Sequence, residues 1–231
     1  MLLFSLECSA AAASAAIYRD EKLLGEEFLN VPQTHSVTLL PMAKSLLEHT
    51  GIFPAQIDYY AVSRGPGSFT GLRIGIAAIK GLAFPDDTPC IGVSTPEAIA
   101  YGLLGFEGTV IPMMDARCGQ VYTALFQGKD GRLTRLSEDE ALPLSELKEK
   151  LKSCTGPLWL CGDGAHLGLA AWGEELPVRM APAHLCCQRA SAVGLAAMQH
   201  LGEAVSPAAL VPCYLRPANA MTLAERQKKA E

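Results

Sequence analysis

Ser63-Arg64-Gly65-Pro66-Gly67-Ser68-Phe69-Thr70-Gly71-Leu72-Arg73-Ile74-Gly75 links a short apolar run, Asp58–Val62, to a longer one, Leu72–Ala83. The first run predicts a strand and the second a helix, so the stretch reads as a strand–glycine turn–helix unit. Glycines at 65, 67 and 71 let the backbone turn sharply and approach something closely. The helix opens with free N–H groups and a positive dipole end, which suits an anion. The spacing fits neither common phosphate loop. G-x-x-x-x-G-K-[ST] needs a lysine that is absent, and G-x-G-x-x-G is missed by one residue. A tight turn that holds no ligand is an equally economical reading. If an anion or nucleotide is held, the candidates are Gly67, Ser68 and Thr70 in the turn, with Arg64 and Arg73 beside them. Glu7 and Asp115, each at the end of a predicted strand, are the acidic candidates for Mg²⁺ through water.

Upstream, Leu2–Leu6, Ala13–Tyr18 and Lys22–Leu29 predict three strands in a meander, with Arg19-Asp20-Glu21 as a hairpin turn. The alanines at 10–16 suit a helix on propensity alone, but the turn leaves no room for one. His35–His49 predicts a helix, with Thr34 as N-cap, Gly51 as stop and Pro41 inside the pattern. Either the first turn is kinked or the helix begins near Leu40. Val37, Leu40, Ala43 and Leu47 share one face, and Leu39, Met42 and Leu46 widen it beyond what a core-facing helix needs. Small residues at 71, 75, 77, 78 and 81 line the helix after the glycine turn. They predict close approach of another backbone, either helix His35–His49 or a second copy of the chain.

Downstream, Cys90–Val93 is a strand and Thr95–Leu104 a helix capped by Ser94 or Thr95. The glycine-rich stretch 102–108 marks a boundary, giving a first lobe over 1–103, a second over 104–217 and a polar tail over 218–231. In the second lobe Thr109–Met114, Val121–Gln127 and Leu158–Cys161 predict strands, and Ser145–Leu151 and Ala190–Leu201 helices. Asp163, between two glycines, reads as a turn residue. The strand-then-helix plan recurs in both halves, as a duplicated two-lobe α/β fold would give.

Composition narrows the function. The chain has 231 residues, 49% hydrophobic and 19% charged, which is enough apolar material for a core. Nineteen basic and 24 acidic residues leave a net charge of −5, which disfavours a freestanding nucleic-acid binder. Mean hydropathy is +0.19, so an exposed apolar patch is expected beside the core. The eight cysteines include no C-x-x-C pair, and the five histidines never fall at i, i+3 or i, i+4. No G-x-S-x-G nominates a nucleophile. No run reaches the length of a membrane span and the N-terminus lacks a basic leader, so a cytoplasmic protein with reduced thiols is expected.

The motif at 63–75 resembles the signature of the bacterial TsaB (YeaZ) family. Thr34-His35-Ser36, Leu39-Leu40-Pro41-Met42, Ile91-Gly92-Val93-Ser94-Thr95, Met114-Asp115-Ala116-Arg117 and Tyr214-Leu215-Arg216-Pro217 extend the likeness over nearly the whole chain. The resemblance implies the two-lobed fold of actin, Hsp70 and the sugar kinases. It implies a non-catalytic role in making N6-threonylcarbamoyladenosine on tRNA. The partners would be a homologous TsaD-type transferase and a TsaE-type ATPase, with a homodimer forming alone and tRNA met only within the complex. No cofactor is implied for this subunit itself, although ATP or ADP with Mg²⁺ fits at the complex interface. The transferase carries a metal-binding H-x-x-x-H; here His35 keeps the first position and Leu39 replaces the second. The family's I-D-T-S-like start is Leu6-Glu7-Cys8-Ser9 here, with glutamate one methylene longer than aspartate. The expected partner face comprises His35, Leu39, Leu40, Ala43 and Leu47 on the first helix, with Gly71, Leu72, Gly75, Ile76 and Ile79 on the second. The alternative is an enzyme of the same fold, a small-molecule kinase or peptidase acting in the cleft between lobes.

Overall fold

The computed structural model describes residues 1–216. Pro217 and the tail expected over 218–231 lie outside the described residues. The first sheet holds five strands in the order β3-β2-β1-β4-β5. These are β1 (Leu2–Glu7), β2 (Ala13–Arg19), β3 (Lys22–Leu29), β4 (Tyr59–Gly65) and β5 (Cys90–Ser94). β1 pairs antiparallel with β2 and parallel with β4, so the meander and the strand–turn–helix unit share one sheet.

Both faces of this sheet are covered, and that settles the alanine-rich segment as a strand. Ala13, Ala15 and Ile17 face one apolar cluster with α1 (His35–Thr50), while Ala16 and Tyr18 face another with α6 (Ala190–Ala197). Alternate residues of β2 thus meet helices on opposite sides, and small side chains let both approach. α1 starts at His35 despite Pro41. A helix-interior proline costs about 3 kcal/mol. Burial of Leu39, Met42, Leu46 and Leu47 contributes roughly 1.5–3 kcal/mol for each large side chain and outweighs it. Gly51 ends the helix in the left-handed region, φ 64°. Thr34 precedes the first turn, but its side chain caps no N–H.

α2 (Phe69–Ala83) follows β4, and α3 (Thr95–Tyr101) follows β5 with the Ser94 hydroxyl accepting from the Glu97 N–H at 3.3 Å. The second sheet is built on β6 (Gly108–Arg117). β11 (Leu158–Cys161) lies parallel on one side of β6, with β12 (Val178–Met180) beyond it. On the other side the expected single strand 121–127 is two. β7 (Gln120–Thr123) pairs with the C-terminal half of β6, and β8 (Phe126–Lys129) pairs with its N-terminal half. β9 (Arg132–Arg135) and β10 (Glu140–Pro143) complete the sheet. α4 (Leu144–Leu151) and α5 (Ala165–Trp172) pack with it around Met113, Val121, Leu147 and Trp172. The two-sheet α/β plan expected from the sequence is therefore the observed fold.

Two features depart from the expected division at residue 103. α6 comes from the second half yet packs on the first sheet, because Ser5 and Ser14 hold its start. The Ser5 hydroxyl donates to the Ala190 carbonyl at 2.7 Å, and the Ala190 N–H donates to the Ser14 hydroxyl at 2.7 Å. The segment Leu210–Arg216 also returns, and the Cys213 N–H donates to the Arg64 carbonyl at 2.7 Å.

Candidate functional site

The glycine turn after β4 closes on its own chain. A Cβ at Gly71 would lie 2.1 Å from the Cys8 carbonyl oxygen, and one at Gly67 would lie 2.7 Å from that of Ser9. At Gly75 the neighbour is the Cys8 sulfur, 2.7 Å away. At Gly67, Gly71 and Gly75 the segment that the small residues admit is therefore Cys8–Ser9, just after β1. Gly81 meets nothing, and Ala77 is exposed. Ser68 caps α2, its hydroxyl accepting from the Gly71 N–H at 3.2 Å, and the Ser68 N–H donates to the Ser9 carbonyl at 2.7 Å.

Glu7 is sealed beneath this contact with no exposed surface. Its Oε1 accepts the Ser9 N–H at 2.5 Å, and its Oε2 accepts the Ser63 hydroxyl. Burial pushes its pKa up, against the opposing pull of the Ser63 and Ser9 hydrogen bonds. Both oxygens are engaged and no path to solvent remains, so the residues do not fit a Mg²⁺–nucleotide at Glu7. Asp115 fares differently. It stands on β6 at the cleft between the sheets, and its Oδ1 accepts the Arg117 N–H at 2.8 Å. The cleft, about 430 Å³, is lined by Ser9, Gly67, Ser68, Asp115, Arg117 and Asp163 among others. Asp163 thus faces the cleft as well as shaping a turn, and its Oδ1 accepts the Gln188 amide at 2.7 Å. An acid between two glycines does not distinguish a cleft residue from a turn residue in sequence; the sheet does.

Among the described residues no cysteine lines the cleft. Cys8 is buried, its thiol bonded to the Gly71 carbonyl and its pKa pushed well up by burial and then by Glu7. No histidine is among the described residues that line the cleft. His35 lies behind it, with Nε2 donating to the Ala10 carbonyl at 2.7 Å, and so pins the start of α1 to the β1–β2 connection. Leu39, in the position of a second imidazole, is fully buried in the core.

The arginines separate. The Arg64 side chain lies over Gly92 on the sheet. Arg73 stacks 3.9 Å from the Phe69 ring centre, and its Nε donates to the Tyr214 hydroxyl at 3.0 Å. Arg117 is 86% exposed at the β6–β7 tip. Thr70 is exposed on the first turn of α2. Tyr214 and Arg216, singled out in sequence only as part of the family likeness, are brought to the site by the returning segment.

Of the expected partner-face residues, Leu39, Gly71, Leu72, Gly75, Ile76 and Ile79 are buried within the first lobe, while Ala43 and Leu47, although largely covered, line an open groove on α1 together with Leu40. The stripe on α1 is broad because the helix is apolar on two faces. Its inner face packs on the sheet, while Val37 and Leu40 are 64% and 51% exposed outside. His35 is half-buried. Leu40, Lys44, Gly51, Phe53 and Leu82 line a groove of about 1010 Å³, with Phe84 exposed at the end of α2. Phe53 and Phe84, at 70% and 75% exposure, fall in short connections with no periodicity.

This architecture belongs to a defined class. Residues 29–154 match the family model of TsaD, a tRNA N6-adenosine threonylcarbamoyltransferase. The tRNA threonylcarbamoyladenosine biosynthesis protein TsaB of Bacillus subtilis (strain 168) is 31% identical over 220 residues, 95% of this chain and 96% of that one. TsaB of Escherichia coli (strain K12) is 34% identical over 167 residues, covering 71% and 72% of the two chains. A YeaZ-like structure from Pseudomonas aeruginosa superposes with a TM-score of 0.80 at 28% identity, over 93% of this chain and 99% of that one. The chain belongs to the TsaB family of tRNA threonylcarbamoyladenosine biosynthesis proteins. Among the described residues no helix is long and apolar enough to cross a membrane.

Proposed function

We propose that this protein is a non-catalytic, cytoplasmic subunit of an assembly that makes N6-threonylcarbamoyladenosine on tRNA. It docks a TsaD-type transferase on the outer face of α1 and the end of α2. The observation that carries the reading is the open apolar groove at Leu40, Phe53 and Leu82, flanked by exposed Val37 and Phe84. Apolar surface of this kind is a mark of association. A specific interface buries about 1,200–2,000 Å² in total. The sealed Glu7 supports a subunit that does no chemistry of its own. A TsaE-type ATPase joins the same assembly, and ATP or ADP with Mg²⁺ belongs at the shared interface. Without its partner the groove pairs with a second copy of the chain.

Leu40→Glu tests this reading. Titration calorimetry against the transferase should show at least a hundredfold loss of affinity while the far-ultraviolet spectrum and melting curve stay unchanged. Full affinity in that variant defeats the docking face. Ile76 does not serve, because a charge at that buried position unfolds the lobe. The second reading, a kinase or peptidase acting in the cleft, draws on the Pseudomonas structure, which is described as similar to a peptidase. It requires ATP or peptide turnover by the pure chain that is lost with Asp115→Asn.

A further inference from the structure

A small cavity of about 160 Å³ opens beside α2, between its first turn, the β6–β7 tip and the returning segment. Among the described residues its lining brings together three rings, Phe69, Tyr122 and Tyr214, and two arginines, Arg117 and Arg216, with no acidic side chain. The arginines stand out in a chain of net charge −5, beside the cleft that holds Asp115 and Asp163. The rings are held firmly: Phe69 and Tyr214 lie 5.0 Å apart between centres, and Arg73 covers the outer face of Phe69. Among the described residues each arginine side chain meets one partner. Arg216 uses Nη1 on the Ala116 carbonyl at 2.8 Å, and Arg117 reaches its neighbour Asp115 only at 3.4 Å. Arg117 and Cys118 are both in the left-handed region, φ 66° and 54°. With Gly119 at φ 70° they make the tight hairpin turn between β6 and β7.

We propose that this slot takes a single unpaired nucleotide, its base against the tyrosine rings and its phosphate on Arg117 and Arg216. Rings supply the stacking that every base offers, and guanidinium groups bind phosphate in a fork. The volume admits one base and excludes a duplex. The slot sits at the start of α2 and the partner groove at its end, about 20 Å away at 1.5 Å per residue. The proposal therefore stands apart from the docking reading. Two sources carry this chemistry, RNA and free nucleotide.

The full-length protein is titrated with 5′-phosphorylated hexaadenylate, with AMP and with hexaglutamate, following the ring resonances of Tyr122 and Tyr214. Hexaadenylate should shift both rings, with a dissociation constant on the order of 10⁻⁴–10⁻⁶ M that weakens with salt. Arg117→Ala should cut affinity about tenfold and lower the salt slope by about 1. Tyr122→Ala should cost roughly ten- to a hundredfold, and Tyr122→Phe should restore binding. Shifts by AMP but not by hexaadenylate uphold the ligand chemistry and assign the slot to free nucleotide. The proposal is overturned if neither moves the rings, if Arg117→Ala binds hexaadenylate as the parent does, or if hexaglutamate moves them as strongly as RNA.

Discussion

The two lobes repeat one device and finish it differently. In each, a strand carries a carboxylate near its end and its parallel neighbour runs into a glycine turn and a helix. In the first lobe these are Glu7 on β1 and the turn from β4 into α2. In the second they are Asp115 on β6 and Gly162-Asp163-Gly164, leading from β11 into α5. In both, the glycines admit the lobe's own backbone, since a Cβ at Gly162 would lie 2.3 Å from the Met113 carbonyl. The difference lies in the acid. Glu7 is walled in by Ser9 and Ser63, whereas Asp115 keeps a third of its side chain in solvent, at 32%. A glycine turn beside a carboxylate is therefore not in itself a phosphate site. What fills the gap decides.

The largest effect expected from this contrast is at the turns themselves. Gly71→Ala drives a methyl group into a carbonyl held by the sheet, and it should cost about 4 kcal/mol or prevent accumulation of folded protein. Gly164→Ala meets the Asp115 N–H at 2.8 Å and should cost about 1–3 kcal/mol. Urea unfolding of the two variants checks the order, and equal losses would break the comparison. A smaller effect belongs to the sealed acid. Because burial raises the Glu7 pKa, the fold favours its protonated form. That stability is present below the unfolded value of about 4.5 and drains away as pH rises through the higher folded value. Glu7→Gln should therefore gain on the parent as pH climbs from 4 to 8. Melting curves across that range decide it.

The smallest effect sits at the joint between the lobes. His200 faces Glu97 through Nε2 and Glu203 through Nδ1, both at 2.9 Å. Glu97 also pairs with Arg135 at 3.0 Å, and Arg135 with Asp139 at 2.8 Å. Burial lowers the His200 pKa, but the two carboxylates outweigh it and the net shift is upward from 6.5. Its contribution is complete below 6.5 and is lost as pH rises through the folded value. His200→Gln should flatten the stability profile in that window, and a profile as steep as the parent's would show that the joint titrates elsewhere.

Much of the fold was legible because local chemistry and tertiary demand agree. β3 runs over the expected residues Lys22–Leu29, and Gly51 stops α1 as its left-handed angle requires. α5, β9, β10 and β12 were not legible. They are 3–8 residues long, too short for a period to show. The site divided along the same line. The turn at 63–75 and the two acids announce themselves by composition and position. The direction each faces is set by sheet pairing and by residues more than a hundred positions away. Tyr214 and Arg216 act on Arg73 and Ala116 across 141 and 100 residues. The outer face of α1 was hidden for a related reason: apolar spacing marks a helix as amphipathic but does not say which of two apolar faces is inside.

The crossing of α6 onto the first sheet bears on how the chain matures. Ala16, Ala61, Ile91 and Val93 form a finished surface only when Ala190, Val193 and Ala197 arrive. A ribosome that has released just the first hundred residues has thus delivered a half-dressed sheet. Long-range closure of this kind slows folding and leaves apolar surface waiting. The lobes are two in architecture but one in assembly, and the last strokes of translation complete the first of them.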